Sequence, residues 1–211
     1  MRKFLFFLAY LPFFNPEVSA QNQSEIESQI FNFYVLFGSE CCGIDQKAFL
    51  ALHQNIQKFQ KKHKSKIAYE TLYWGKEGEK VVYIDLAQLS DNQSIVFFQE
   101  TLGILRNKAY KLVKVSPLLE YHRASQTLWV HCIPYGINQK REQGFLAFIE
   151  QFEAENQVKI LKGAMINETH WEKDQDKRFE LNLNLLSPAQ QNDLIKQIKA
   201  IFAVPIYPKT H

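Results

Sequence analysis

The chain has 211 residues, 46% of them hydrophobic, and carries 25 Lys and Arg against 22 Asp and Glu, a formal net charge of +3. So even a balance gives no electrostatic footprint for a nucleic-acid or anionic-membrane partner. Three cysteines are too few for a disulfide framework and allow at most one internal bridge in an oxidising compartment.

The N-terminus begins with "MRK", a positive start. An apolar run of 11 residues follows, "FLFFLAYLPFF", and then "NPEVSA", with Val18 and Ala20 at the positions a signal peptidase reads. That order predicts a cleaved signal peptide over residues 1–20, and the run is too short to span a bilayer. No later stretch reaches spanning length. The mature chain is therefore expected to be soluble and exported, to a bacterial periplasm or the extracellular space. Three sequons, at Asn22, Asn92 and Asn167, carry meaning only in a eukaryotic secretory pathway.

After an N-terminal segment (21–29), "FNFYVLF" reads as a strand. The loop "GSECCGID" comes next, and Asp45 is placed to cap a helix with apolar residues at Phe49, Leu52, Ile56 and Phe59. The basic run "QKFQKKHKSK" at that helix's end complements the dipole and reads as a solvated face. "IAYETLYW" and "KVVYIDLAQL" flank "GKEGE", a hairpin turn without phosphate-loop spacing. A second helix follows Ser90, with Ile95, Phe98, Leu102 and Leu105 on one face, and "YKLVKV" closes the unit.

The same order then repeats. "GIDQK" at 43 lies on "GINQK" at 136, an offset of 93, and Leu52, Ile56 and Phe59 fall on Phe145, Ile149 and Phe152. Beyond a longer second hairpin the offset becomes 97. Val82, Ile84 and Leu86 then meet Phe179, Leu181 and Leu183. Self-similarity of this extent decides the fold reading. The expected class is α+β, two tandem ferredoxin-like βαββαβ repeats over 30–116 and 127–211, joined by a polar linker at 117–126. The linker's Glu120 and His122 form a candidate acid–base pair, although a linker holds geometry poorly.

Strand alternation sorts side chains onto two faces. The apolar sets, Phe33, Val35 and Phe37 with Val82, Ile84 and Leu86, are expected beneath the helices. The opposite set, Tyr34, Tyr83 and Asp85 in the first copy and Trp129, His131, Glu180 and Asn182 in the second, is expected on open sheet faces as a candidate binding platform. Such a face could equally be where the copies pack or where another subunit docks.

Cys41 and Cys42 precede a helix N-terminus, where unpaired N–H groups lower a thiol's pKa. A reactive thiolate, a metal site and a bridge to Cys132 are the alternatives. Cys132 continues an inward-facing series, so a buried thiol also fits it. The second copy has Pro134 and Tyr135 in place of the two cysteines, so the fold element does not require them. The functional expectation is an exported, non-enzymatic binding protein without a cofactor. Its partner would be an unidentified protein or small molecule, not nucleic acid. The alternative is thiol- or metal-dependent activity at Cys41 and Cys42.

Overall fold

The structure is a computed structural model that describes residues 28–39, 43–74, 76–106, 110, 112–132, 139–168 and 175–203. The signal peptide, most of the 21–29 segment, Cys41, Cys42, Pro134, Tyr135 and the end of the second repeat beyond residue 203 lie outside the described residues.

The fold is α+β, with seven antiparallel strands and four helices among the described residues. In chain order these are β1 (Ser28–Phe37), α1 (Gln46–His63), β2 (Ala68–Trp74), β3 (Glu79–Asp85), α2 (Asp91–Leu105), β4 (Val113–His122), β5 (Thr127–Cys132), α3 (Gln139–Asn156), β6 (Leu161–Glu168), β7 (Gln175–Asn182) and α4 (Pro188–Ile201). All seven strands form one sheet in the order β2-β3-β1-β4-β5-β7-β6.

The helix starts follow their local chemistry. Asp45 Oδ1 accepts from the Lys47 and Ala48 N–H groups at 3.0 and 3.1 Å. Ser90 and Ser187 each form a reciprocal capping box, with Gln93 and Gln190. The buried stripe of α2 is Ser94, Phe97, Thr101 and Leu105, which departs from the expected Ile95, Phe98 and Leu102. The rotation brings Thr101 under α1, where its Oγ1 accepts from the buried Asn55 Nδ2 at 3.0 Å.

Two cores lie on opposite faces of the sheet. Phe33, Val35, Phe37, Val82 and Ile84 pack with α1 and α2 through Leu52, Ile56, Phe59, Phe97 and Leu105. The alternate residues, Tyr34, Leu36, Val81 and Tyr83, join a second cluster that includes Leu128, Val130, Phe179 and Leu181. That cluster lies under α3 and α4, with Phe145, Ile149, Ile198 and Phe202. Helices therefore cover both faces.

The joint explains this arrangement. Pro117 to His122 are not linker: β4 runs to His122, and only the turn 123–126 separates it from β5. One edge of β4 pairs with β1 and the other with β5, so the two halves share a single sheet. Paired register shifts near Ile30–Phe33 bulge both strands. Consecutive Leu118 and Leu119 consequently enter the same core.

At the helix-to-strand turn after α3, the buried Glu153 carboxylate gathers the chain. Its Oε1 accepts from the Ile160 and Leu161 N–H groups at 2.7 and 2.8 Å, and Lys159 Nζ reaches Oε2 at 2.6 Å. Burial pushes the Glu153 pKa up, but these donors outweigh it and the net shift is downward.

Candidate functional site

The expected platform divides into two parts with opposite fates. Tyr34 and Tyr83 are 2% and 1% exposed and do not lie on an open face. Because β4 fuses the two halves, α3 and α4 pack across the rear of β1 and β3. Arg141 of α3 bonds Glu70 of β2 at 3.2 Å and sits 5.0 Å from the Tyr83 ring centroid. The Tyr83 hydroxyl is buried beside the Arg141 guanidinium. Burial raises its pKa, and the Arg141 charge opposes the rise. Asp85 is half-buried and its Oδ1 caps the following turn, accepting from the Ala87 N–H at 2.8 Å. Asn182 does the same at the matching position, accepting from the Asn184 N–H at 3.1 Å. The first-copy residues and Asn182 thus have structural partners.

The second part remains together. Alternation along β5 and β7 sends Leu128, Val130, Phe179 and Leu181 into the core under α3 and α4, which turns Trp129, His131, Arg178 and Glu180 to the other face. Register aligns them in rows: Glu120, Trp129 and Glu180 lie on consecutive strands β4, β5 and β7, with His131 and Arg178 paired beside them. The core under α1 and α2 contains no residue of β5, β6 or β7, so this end of the face has no helix packed on it among the described residues.

The Arg178 guanidinium stacks 3.5 Å above the Trp129 ring. A guanidinium held this close to an indole is attracted by the ring's negative face. Lys162 of β6 bonds Glu180 at 3.0 Å, and His122 Nε2 lies 3.1 Å from Glu120. Glu120 and His122 therefore stand on a rigid strand, contrary to the linker reading. His131 has a buried Nε2 with no hydrogen-bond partner among the described residues. Burial, and then the Arg178 and Lys114 charges, push its pKa down to about 4. Burial also lowers the Arg178 pKa, against the pull of Glu120 and Glu180. At neutral pH the face presents a stacked cation, a neutral imidazole and two flanking carboxylates.

No family model matches this chain, and no curated protein matches it. A crystal structure of an unknown protein from Galdieria sulphuraria is 11% identical, with 83% of this chain and 94% of that chain covered, at a TM-score of 0.24. A likeness at that level has no bearing on fold or function.

Sequence reasoning missed Arg178 and Lys162, and it named Glu120 only as a linker residue beside His122. The signal for Arg178 was present, since it lies two residues before Glu180 and shares its face. Glu120 was hidden by the linker assignment.

Cys132 is a buried free thiol. Burial and the Glu142 carboxylate push its pKa up to about 12, with Lys177 opposing. Around the cysteine pair the described flanks are firmly held. Ser39 Oγ donates to Glu77 Oε2 at 2.6 Å and accepts from the Gly43 N–H at 3.1 Å, and Gly43 has φ +99°. The Asp45 carboxylate already occupies the first free N–H groups of α1. Among the described residues no group of three or more His, Cys, Asp and Glu could hold a metal ion, and no helix is long and apolar enough to cross a membrane.

Proposed function

We propose that the chain is an exported, non-enzymatic binding protein built from two ferredoxin-like repeats that share one sheet. It would capture a small molecule or a protein segment on the outer face of β4, β5, β7 and β6. The strand order β2-β3-β1-β4 with two helices on one face supports the first repeat, and β5-β7-β6 with α3 and α4 supports the second. The observation that carries the binding reading is the Trp129–Arg178 stack at 3.5 Å, set among His131, Glu120 and Glu180 on a rigid strand platform. A fixed guanidinium over an indole suits a ligand with a carboxylate and a flat or apolar body.

The test is a panel of amino acids, aromatic carboxylates and short peptides, read by tryptophan fluorescence and thermal shift. Trp129→Ala and Arg178→Ala should abolish the response while leaving the far-UV circular dichroism spectrum unchanged. A compound that binds both variants as well as it binds wild type ends the assignment to this face. The thiol alternative is separated by a Cys41→Ser, Cys42→Ser variant: unchanged binding removes the cysteines from the function. Intact mass of the exported protein reads the cleavage after Ala20.

A further inference from the structure

The two edges of the sheet are treated differently by the sequence. Edge β6 carries the exposed Lys162 at a register shift between Leu161 and Gly163. A charge and a bulge are the devices that keep a free edge from pairing with another chain. Edge β2, "AYETLYW", has neither: its pairing with β3 is unbroken over seven residues and it contains no Lys, Pro or bulge. Its single charge, Glu70, is held by Arg141 on the α3 side, so it does not guard the edge. Instead the strand exposes two tyrosines, Tyr73 at 70% and Tyr69 at 42%.

We infer that β2 is the interface for a second copy of this chain, which adds its own β2 antiparallel across a two-fold axis at Thr71. The strand is self-complementary about that residue. In this register each Tyr69 faces the other copy's Tyr73, giving two aromatic cross-strand pairs, and Glu70 faces Leu72, so no like charges within the strand meet. At the ends, Glu77 falls opposite Ser65, between Lys64 and Lys66, while Lys66 falls opposite Lys76, so charge at the ends neither drives nor forbids this register. Tyr69 is already braced from behind by His53 at 5.2 Å and Tyr73 by Lys80 at 5.3 Å, so both rings are partly positioned for such pairing. The occupied edge would extend the sheet from seven strands to about fourteen.

Sedimentation and light scattering on the intact mature protein test this over a wide concentration range. Wild type should pass from one to two copies per particle, at concentrations on the order of micromolar for so small an interface. Thr71→Lys should remain monomeric with its circular dichroism unchanged. Mixing Thr71→Lys with Thr71→Glu should restore a dimer, because only the proposed register sets those two positions face to face. Tyr73→Lys, at a well-exposed site that does not threaten folding, should weaken dimerisation at least tenfold. Wild type that stays monomeric throughout, a dimer indifferent to Tyr73→Lys, or a charge-swapped mixture that stays apart would each overturn the inference. A monomer would leave the edge to a strand from another protein.

Discussion

Acidification tests the electrostatics of the Trp129 face most directly. In the folded protein His131 is neutral, with its pKa pushed from 6.5 down to about 4 by burial and by the Arg178 and Lys114 charges. The unfolded chain takes up that proton near pH 6.5. Stability from this group is therefore complete above about pH 6.5 and is lost as pH falls toward 4, because unfolding then binds a proton that the native state refuses. The gap between the two pKa values corresponds to at most about 3 kcal/mol, and the side chain's partial exposure reduces the expected loss to about 1–3 kcal/mol. Urea unfolding at pH 7 and pH 4.5 should show wild type losing that much more than His131→Gln, which cannot titrate. Imidazole NMR gives the pKa itself, and Arg178→Gln should move it upward while burial still holds it below 6.5. A His131 resonance that titrates near 6.5, or a variant that loses stability in parallel with wild type, would refute the reasoning.

The other predictions concern groups the structure places in the interior. Tyr83→Phe removes a buried hydroxyl whose polar neighbour is the Arg141 guanidinium, so it should cost no more than about 1 kcal/mol in urea unfolding. A larger loss would contradict this. Glu153→Ala strands the buried Ile160 N–H and the half-buried Leu161 N–H and should cost about 2–4 kcal/mol, whereas Glu153→Gln keeps an acceptor and should cost about 1 kcal/mol or less, since the Lys159 partner is exposed. Equal costs for the two substitutions would contradict this ranking. Because its native pKa is depressed, the Glu153 contribution is full above the ordinary carboxylate range and fades as pH falls through it. Cys132 should resist alkylation at neutral pH in the folded protein and react promptly once unfolded, a difference that mass spectrometry resolves.

Much of the local structure was legible because its causes are local. Asp45, Ser90 and Ser187 cap their helices through side chains a few residues from the groups they satisfy. Alternation assigned Phe33, Val35 and Phe37 to one face and Tyr34 and Leu36 to the other, as the two cores confirm. In α2, Leu105 and Phe98 pack on the core as expected, but the stripe centres on Ser94, Phe97 and Thr101, and the Asn55–Thr101 bond that helps set this rotation joins residues 46 apart.

Which face is open was a different kind of question. Tyr34 and Trp129 read alike in the sequence, an aromatic on the side away from its own repeat's helices. The sequence by itself determined most of the strands and helices, the caps at Asp45, Ser90 and Ser187, and the inward or outward sense of the side chains on β1, β3, β5 and β7, because the pleat and the helical turn act over two to four residues. Only the tertiary structure decided that β4 continues into β5. The turn 123–126 joins the two halves into one sheet, α3 and α4 then close over Tyr34 and Tyr83, and Trp129 is left half-exposed. That outcome rests on packing between residues far apart in the chain, such as Glu70 and Arg141, 71 positions apart, which no local pattern encodes.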